Sequence, residues 1–129
     1  MNKSSYLSAF NDHFTELIND IVRIFPDDTD LLTMKNSFAL MRKSNPRLII
    51  NVFHSHVYTK YHIQISQGDL NFFIEKNYND DLSNNDNSSK IIDTINRLKE
   101  PIRQMNESEK KNTIKYFQNL CKLSLLYHN

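Results

Sequence analysis

His54-Ser55-His56 is the string best suited to chemistry in this 129-residue chain, because two imidazoles joined by a carboxylate such as Asp69 can hold a divalent metal. Its spacing argues the other way. On a helix, residues two apart point about 200° from each other, and only a strand would turn both rings to one ion. His56, with Val52, Phe53 and Val57 near it, reads as a hydrogen-bonded core histidine, and His54 as a surface one. Cys121 is the single cysteine, a nucleophile only if a distant histidine serves as its base. It shares an apolar stripe with Phe117 and Leu125, where a thiol is a packing group. The carboxylate pairs Asp27-Asp28 and Asp80-Asp81 fall at a helix start and in a polar loop, where capping and solvation account for them. One glycine, Gly68, removes Walker and dinucleotide loops, and one cysteine removes an intramolecular disulfide and any multi-cysteine zinc site. The expectation is a protein with no enzymatic activity and no cofactor.

Binding chemistry is the remaining signal. Lys+Arg 16 against Asp+Glu 15 leaves a formal net charge of +1, but the charges are segregated. Basic against acidic residues number 2 to 6 over residues 1–33, 5 to 0 over 34–68, 1 to 5 over 69–87 and 8 to 4 over 88–129. The acid-free block carries Arg42, Lys43 and Arg47, with Lys35 and Lys60 further out. These five residues are the candidate nucleic-acid contacts: Arg42, Lys43 and Arg47 cluster around the start of a helix whose free N–H groups and dipole favour an anion, and Lys35 and Lys60 are outer contacts. Pairing with the acidic first or fourth segment, or plain solvation, is the alternative. Tyr58, Tyr61, Phe72, Phe73 and Tyr78 crowd the fourth segment beyond what one short amphipathic element buries. They mark either an all-round buried element or a partner-binding face.

The elements that position these residues read as helical. Leu7, Phe10, Phe14, Leu17, Ile18, Ile21, Ile24 and Phe25 recur at three- and four-residue spacing, with Ser4 or Ser5 as cap and Pro26 as stop. A second helix follows Asp27-Asp28-Thr29 through Leu31, Met34, Phe38 and Met41. Asn45 then caps a third at Pro46, running through Leu48, Ile49, Val52 and Phe53. From Val57 the pattern is ambiguous, since Val57, Thr59, Tyr61, Ile63 and Ile65 alternate with polar residues as in a half-buried strand. Gly68-Asp69 would then turn a hairpin over 57–75. The helical alternative needs a break near Tyr58 to Tyr61 and a short helix started by Asp69. Residues 79–89 form an Asn-rich stretch with too little apolar surface to offset ordering, and so a mobile loop. Pro101 kinks or restarts the helix through Ile91, Ile95, Leu98 and Ile102. Asn106-Glu107-Ser108-Glu109 has capping-box spacing before a last helix burying Ile114, Phe117, Leu120, Cys121, Leu125 and Leu126. The fold expected is one all-α domain over 1–129, of about five or six helices, with an α+β form containing the 57–75 hairpin as the alternative.

No apolar run approaches the roughly 20 residues of a membrane span, and Met1-Asn2-Lys3-Ser4-Ser5 lacks the apolar core of a signal peptide. A cytoplasmic protein with a single thiol in a reducing compartment is the expectation. Phe25-Pro26-Asp27-Asp28, Asn45-Pro46, Tyr61 with Gly68-Asp69 and Phe72-Phe73, and Lys115-Tyr116-Phe117-Gln118-Asn119-Leu120 with Lys122-Leu123-Ser124 together carry a resemblance. The chain resembles, over most of its length, short uncharacterised proteins of large nucleocytoplasmic DNA viruses of the mimivirus-like kind. The resemblance implies a protein made in host cytoplasm, placed in a viral factory or virion, and assigns no activity to any residue. The functional expectation is a non-enzymatic interaction or assembly module that associates with a protein partner or with itself. Nucleic-acid binding through the basic cluster is the alternative, and no membrane partner is expected.

Overall fold

The computed structural model describes residues 2–71 and 96–129, and the described residues are helical with no strand among them. Helix α1 spans Lys3–Ile24 and buries Phe10, Phe14, Leu17, Ile18 and Ile21, the stripe its spacing predicts. Its cap is Asn2, whose side chain accepts from the Ser5 N–H at 2.9 Å, so the helix starts earlier than a Ser4 or Ser5 cap would allow. Helix α2, Thr29–Ser44, is capped by Asp28 and buries Leu31, Met34 and Phe38 against α1. Phe14 and Phe38 stack at 4.8 Å, and Phe10 meets Phe53 edge-on at 5.3 Å, so aromatic rings join α1 to both following helices. Each such ring contributes roughly 1.5–3 kcal/mol of burial.

Helix α3 begins at Leu48 and runs to Phe53, two residues later than an Asn45 cap with Pro46 in the first turn predicts. Asn45 and Pro46 instead form a turn, held where the buried Asn11 side chain donates to the Pro46 carbonyl at 3.0 Å. A π-helical turn, His54–Tyr58, follows without interruption, and then α4, Thr59–Ser66. No break occurs at 58–61. Gly68 stops the helix at φ +77°, with its N–H bonded to the Ile65 carbonyl and the Asp69 N–H to that of Gln64, both at 3.0 Å. Those two bonds are a Schellman helix end, which corrects the hairpin reading over the described part of 57–75. The Asp69 side chain then accepts from the Asn71 N–H at 3.0 Å, and the short helix expected after it falls outside the described residues. Phe72, Phe73, Tyr78, Ile91, Ile95 and the 79–89 loop lie outside the described residues.

After a turn at Leu98, helix α5 covers Lys99–Arg103 with Pro101 in its first turn, where the missing N–H costs little; this is the restart expected there. Helix α6, Glu107–His128, opens on the expected capping box, with Asn106 and Glu109 exchanging bonds of 2.8 and 3.0 Å. It lies antiparallel to α1. Lys3 sits over the Tyr127 ring, Asn119 contacts His13, and Tyr116 donates to Asp20 at 2.6 Å. Burial and the Asp20 hydrogen bond push the Tyr116 phenol up to about 12. The last turns of α6 bury Cys121 and Ser124, whereas Leu125 and Leu126, expected in the core, are 37 and 43% exposed. No helix among the described residues is long and apolar enough to cross a membrane.

Candidate functional site: the groove between α4 and α6

The π-helical turn sets up a column of stacked rings beside the groove between α4 and α6. In a regular α-helix, residues four apart drift by about 40° around the axis. The wider π turn takes up that drift, so His54, Tyr58 and His62 stay in line along one face. Their rings stack, His54 on Tyr58 at 4.7 Å and 12°, and Tyr58 on His62 at 4.7 Å and 19°. His128, from the end of α6, extends the column by stacking on His54 at 4.0 Å and 18°. The column is pinned by polar contacts at both ends. Ser124 donates to the Cys121 carbonyl at 3.0 Å, which leaves its oxygen to accept from His54 Nδ1 at 3.4 Å. His128 Nδ1 donates to the Ser124 carbonyl at 2.8 Å, and its Nε2 lies 2.9 Å from the Asn51 side-chain amide. His62 Nδ1 donates to the Tyr58 carbonyl at 2.8 Å. Burial, and then the His128 charge, lower the pKa of His54 below its ordinary 6.5. His54 is therefore a structural part of the column and not the solvated histidine its neighbours in sequence suggest.

Beside the column, α4 and α6 part to leave a groove of about 310 Å³, at the small end of the range for ligand and side-chain pockets. Tyr58 and His62 form one wall, Ile65 and Cys121 the floor, and Gln118, Lys122 and Leu125 the other wall. Gln118 also ties the walls together by donating to the Ile65 carbonyl at 3.0 Å. Burial pushes the Cys121 thiol up to about 12, so the floor is apolar in character and the thiol is not a nucleophile at neutral pH. Among the described residues, no group of three or more His, Cys, Asp and Glu side chains is placed to hold a metal ion.

Of the aromatic residues expected at a partner face, Tyr58 lines the groove, while Tyr61 packs half-buried against the core and does not line it. The basic cluster is divided. Arg42 binds Asp12 at 2.5 Å and Thr15 at 3.2 Å, the intramolecular pairing weighed for this block. Lys35 joins Arg42 along a smaller cavity of about 180 Å³ between α1 and α2. Lys43 and Arg47 are exposed at the α2–α3 turn, and Lys60 lies thirteen residues further on, about 20 Å along the helical run. Helix α3 buries Ile49, Ile50, Val52 and Phe53, four of its six residues, and so presents no polar face to read bases. The histidine column escaped the sequence reading, although the spacing of His54, Tyr58 and His62 by fours was a usable signal; nothing local pointed to His128. No protein-family model, curated protein or solved structure matches the chain.

Proposed function

We propose that this chain is a non-enzymatic interaction module whose docking surface is the α4–α6 groove. The observation that carries the reading is an apolar groove that opens on a surface with Leu125 at its lip and Ile63, 58% exposed, on the same helix as its α4 wall. Exposed leucine and isoleucine beside a formed apolar cleft are the usual makings of a protein contact. Chemistry at the groove is disfavoured by the raised thiol pKa. The setting that goes with the viral resemblance is a factory or virion in host cytoplasm, and it rests on that resemblance alone. Sedimentation of the purified chain, with affinity recovery of partners from its native source, tests the reading. Association is expected to be lost in Leu125→Glu and Tyr58→Ala chains that keep their helical circular dichroism. A chain that stays monomeric, and recovers the same proteins with or without those substitutions, refutes it.

A second reading, contact with nucleic-acid phosphate, retains Lys43 and Arg47 because both are exposed on one turn. With Arg42 held by Asp12 and the α3 face buried, such contact would be blind to sequence.

A further inference from the structure

We propose that the α4–α6 groove receives the α1–α2 corner of a second copy of this chain, joining copies head to tail. The inference rests on the interaction reading above and adds to it the partner and the two faces. Among the described residues that line the groove, Lys122 is the one Lys, Arg, Asp or Glu. Along α6, Lys115 and Lys122 share a strip with Gln118 and Leu125, and both lysines are exposed. No Asp or Glu is among the residues that line the groove. An apolar cleft with a cationic border selects an apolar knob with an anionic border.

The chain carries such a knob. At the corner between α1 and α2, Pro26, Asp27 and Asp30 are exposed, and Leu32 stands one helical turn beyond Asp28 with 41% of its surface exposed. Asp30 is 82% exposed and 3.8 Å from Arg97, a surface pair too open to neutralise the corner. The corner and the groove of one copy are kept apart by the antiparallel packing of α1 on α6. Asp20 is level with Tyr116, nine residues before Leu125 and about 14 Å from it along α6, and the corner continues away from that point. Among the described residues, the knob and the groove of one copy therefore lie apart. A contact between unlike faces is heterologous and extends in a row unless its rotation closes a ring.

Sedimentation velocity of the full chain at about 0.1 M and about 1 M NaCl tests this, since the screening length falls from about 10 Å to about 3 Å. At low salt the average mass is expected to rise with concentration past that of a dimer, and at high salt to return to the monomer. Leu32→Lys, the pair Asp27→Lys with Asp30→Lys, and the pair Lys115→Glu with Lys122→Glu are each expected to weaken association about tenfold. Mixing the two charge-reversed chains should restore it, because each then offers the face the other lacks. All substituted positions are exposed, and helical circular dichroism confirms that each variant folds. A monomer at low salt overturns the proposal, as does a mixture that fails to recover. A dimer indifferent to the corner substitutions also overturns it, because grooves would then be meeting grooves. If the chain is monomeric yet a different protein is captured through Leu125, the self-association is wrong and the interaction reading stands.

Discussion

Cys121 borders the groove, so its reactivity separates a chemical role from a packing one. The residue is 7% exposed, and burial pushes its thiol from an ordinary 9.0 up to about 12. The thiolate fraction falls tenfold per unit at neutral pH, so three units make it about a thousandfold smaller than in the unfolded chain. Restricted access slows the reaction further, because reagent must enter between α4 and α6 or wait for them to part. Alkylation by iodoacetamide at pH 7.5 reads this directly, comparing the folded chain with one unfolded in urea. The folded rate is expected to be about a thousandth of the unfolded rate or less, and to climb tenfold per pH unit up to pH 10 without a plateau. The groove imidazole is His62; the Tyr58 carbonyl holds its Nδ1 proton at 2.8 Å, so Nε2 is the nitrogen that would have to act as base. A folded rate within tenfold of the unfolded one, or a plateau below pH 8, would refute the argument and make Cys121 an activated thiol.

Other outcomes follow from single contacts. Asn11→Ala removes the donor to the Pro46 carbonyl at the α1–α3 junction and should lower stability by about 1–3 kcal/mol, read from the urea midpoint. Gly68→Ala should lower it by about 1–2 kcal/mol purely through backbone strain, since φ is +77° and a methyl group there meets nothing within 4 Å. His54 titrates below 6.5 in the folded chain, so the unfolded chain takes up the proton first as pH falls. Its contribution is therefore complete above pH 6.5 and is lost as pH drops through the lower folded value; His54→Gln should flatten the urea midpoint between pH 7.5 and 5, and an unchanged slope would sink this assignment. Under the nucleic-acid reading, Lys43→Ala with Arg47→Ala should reduce the log–log salt slope for duplex DNA by about 1.8, at about 0.9 per phosphate. Binding that the double substitution leaves unchanged removes that cluster.

How far the sequence could be read depended on whether a local signal competed with a distant one. Helices α1, α2 and α6 were legible because Phe10 to Ile21, Leu31 to Phe38 and Ile114 to Cys121 repeat with one period and carry caps at Asp28 and Asn106. The run from Val57 to Ile65 was ambiguous because its apolar residues satisfy two periods at once. Ile63 decides between them. On a strand it would share a face with Tyr61 and Ile65, whereas it is 58% exposed and Ile65 is 1% exposed. The π turn left no mark in the sequence, because the packing of His54 against Ser124 and His128, seventy residues away or more, holds it in place. The same packing explains the error at the end of α6. Ser124, and not Leu125, faces the π turn, so the stripe rotates by one residue and the two leucines come to the surface.

The segregation of charge, invisible in a net value of +1, resolves differently at two places in the fold, and the difference bears on function. Between α1 and α2, an acidic segment packs against a basic one, and Arg42 finds Asp12. One cation of that surface is thereby neutralised from within. Between α4 and α6, no Asp or Glu is among the residues that line the groove, and Lys122 stands on its α6 wall. Placing like charges on one cleft raises the energy of the folded chain unless solvent and salt screen them. Lys111, Lys115 and Lys122 are exposed. What this arrangement favours is an occupant that brings its own carboxylates together with an apolar side chain. Leu32, close to Asp27, Asp28 and Asp30, offers that combination within the same sequence. The charge pattern thus acts on association between chains more than on the stability of one.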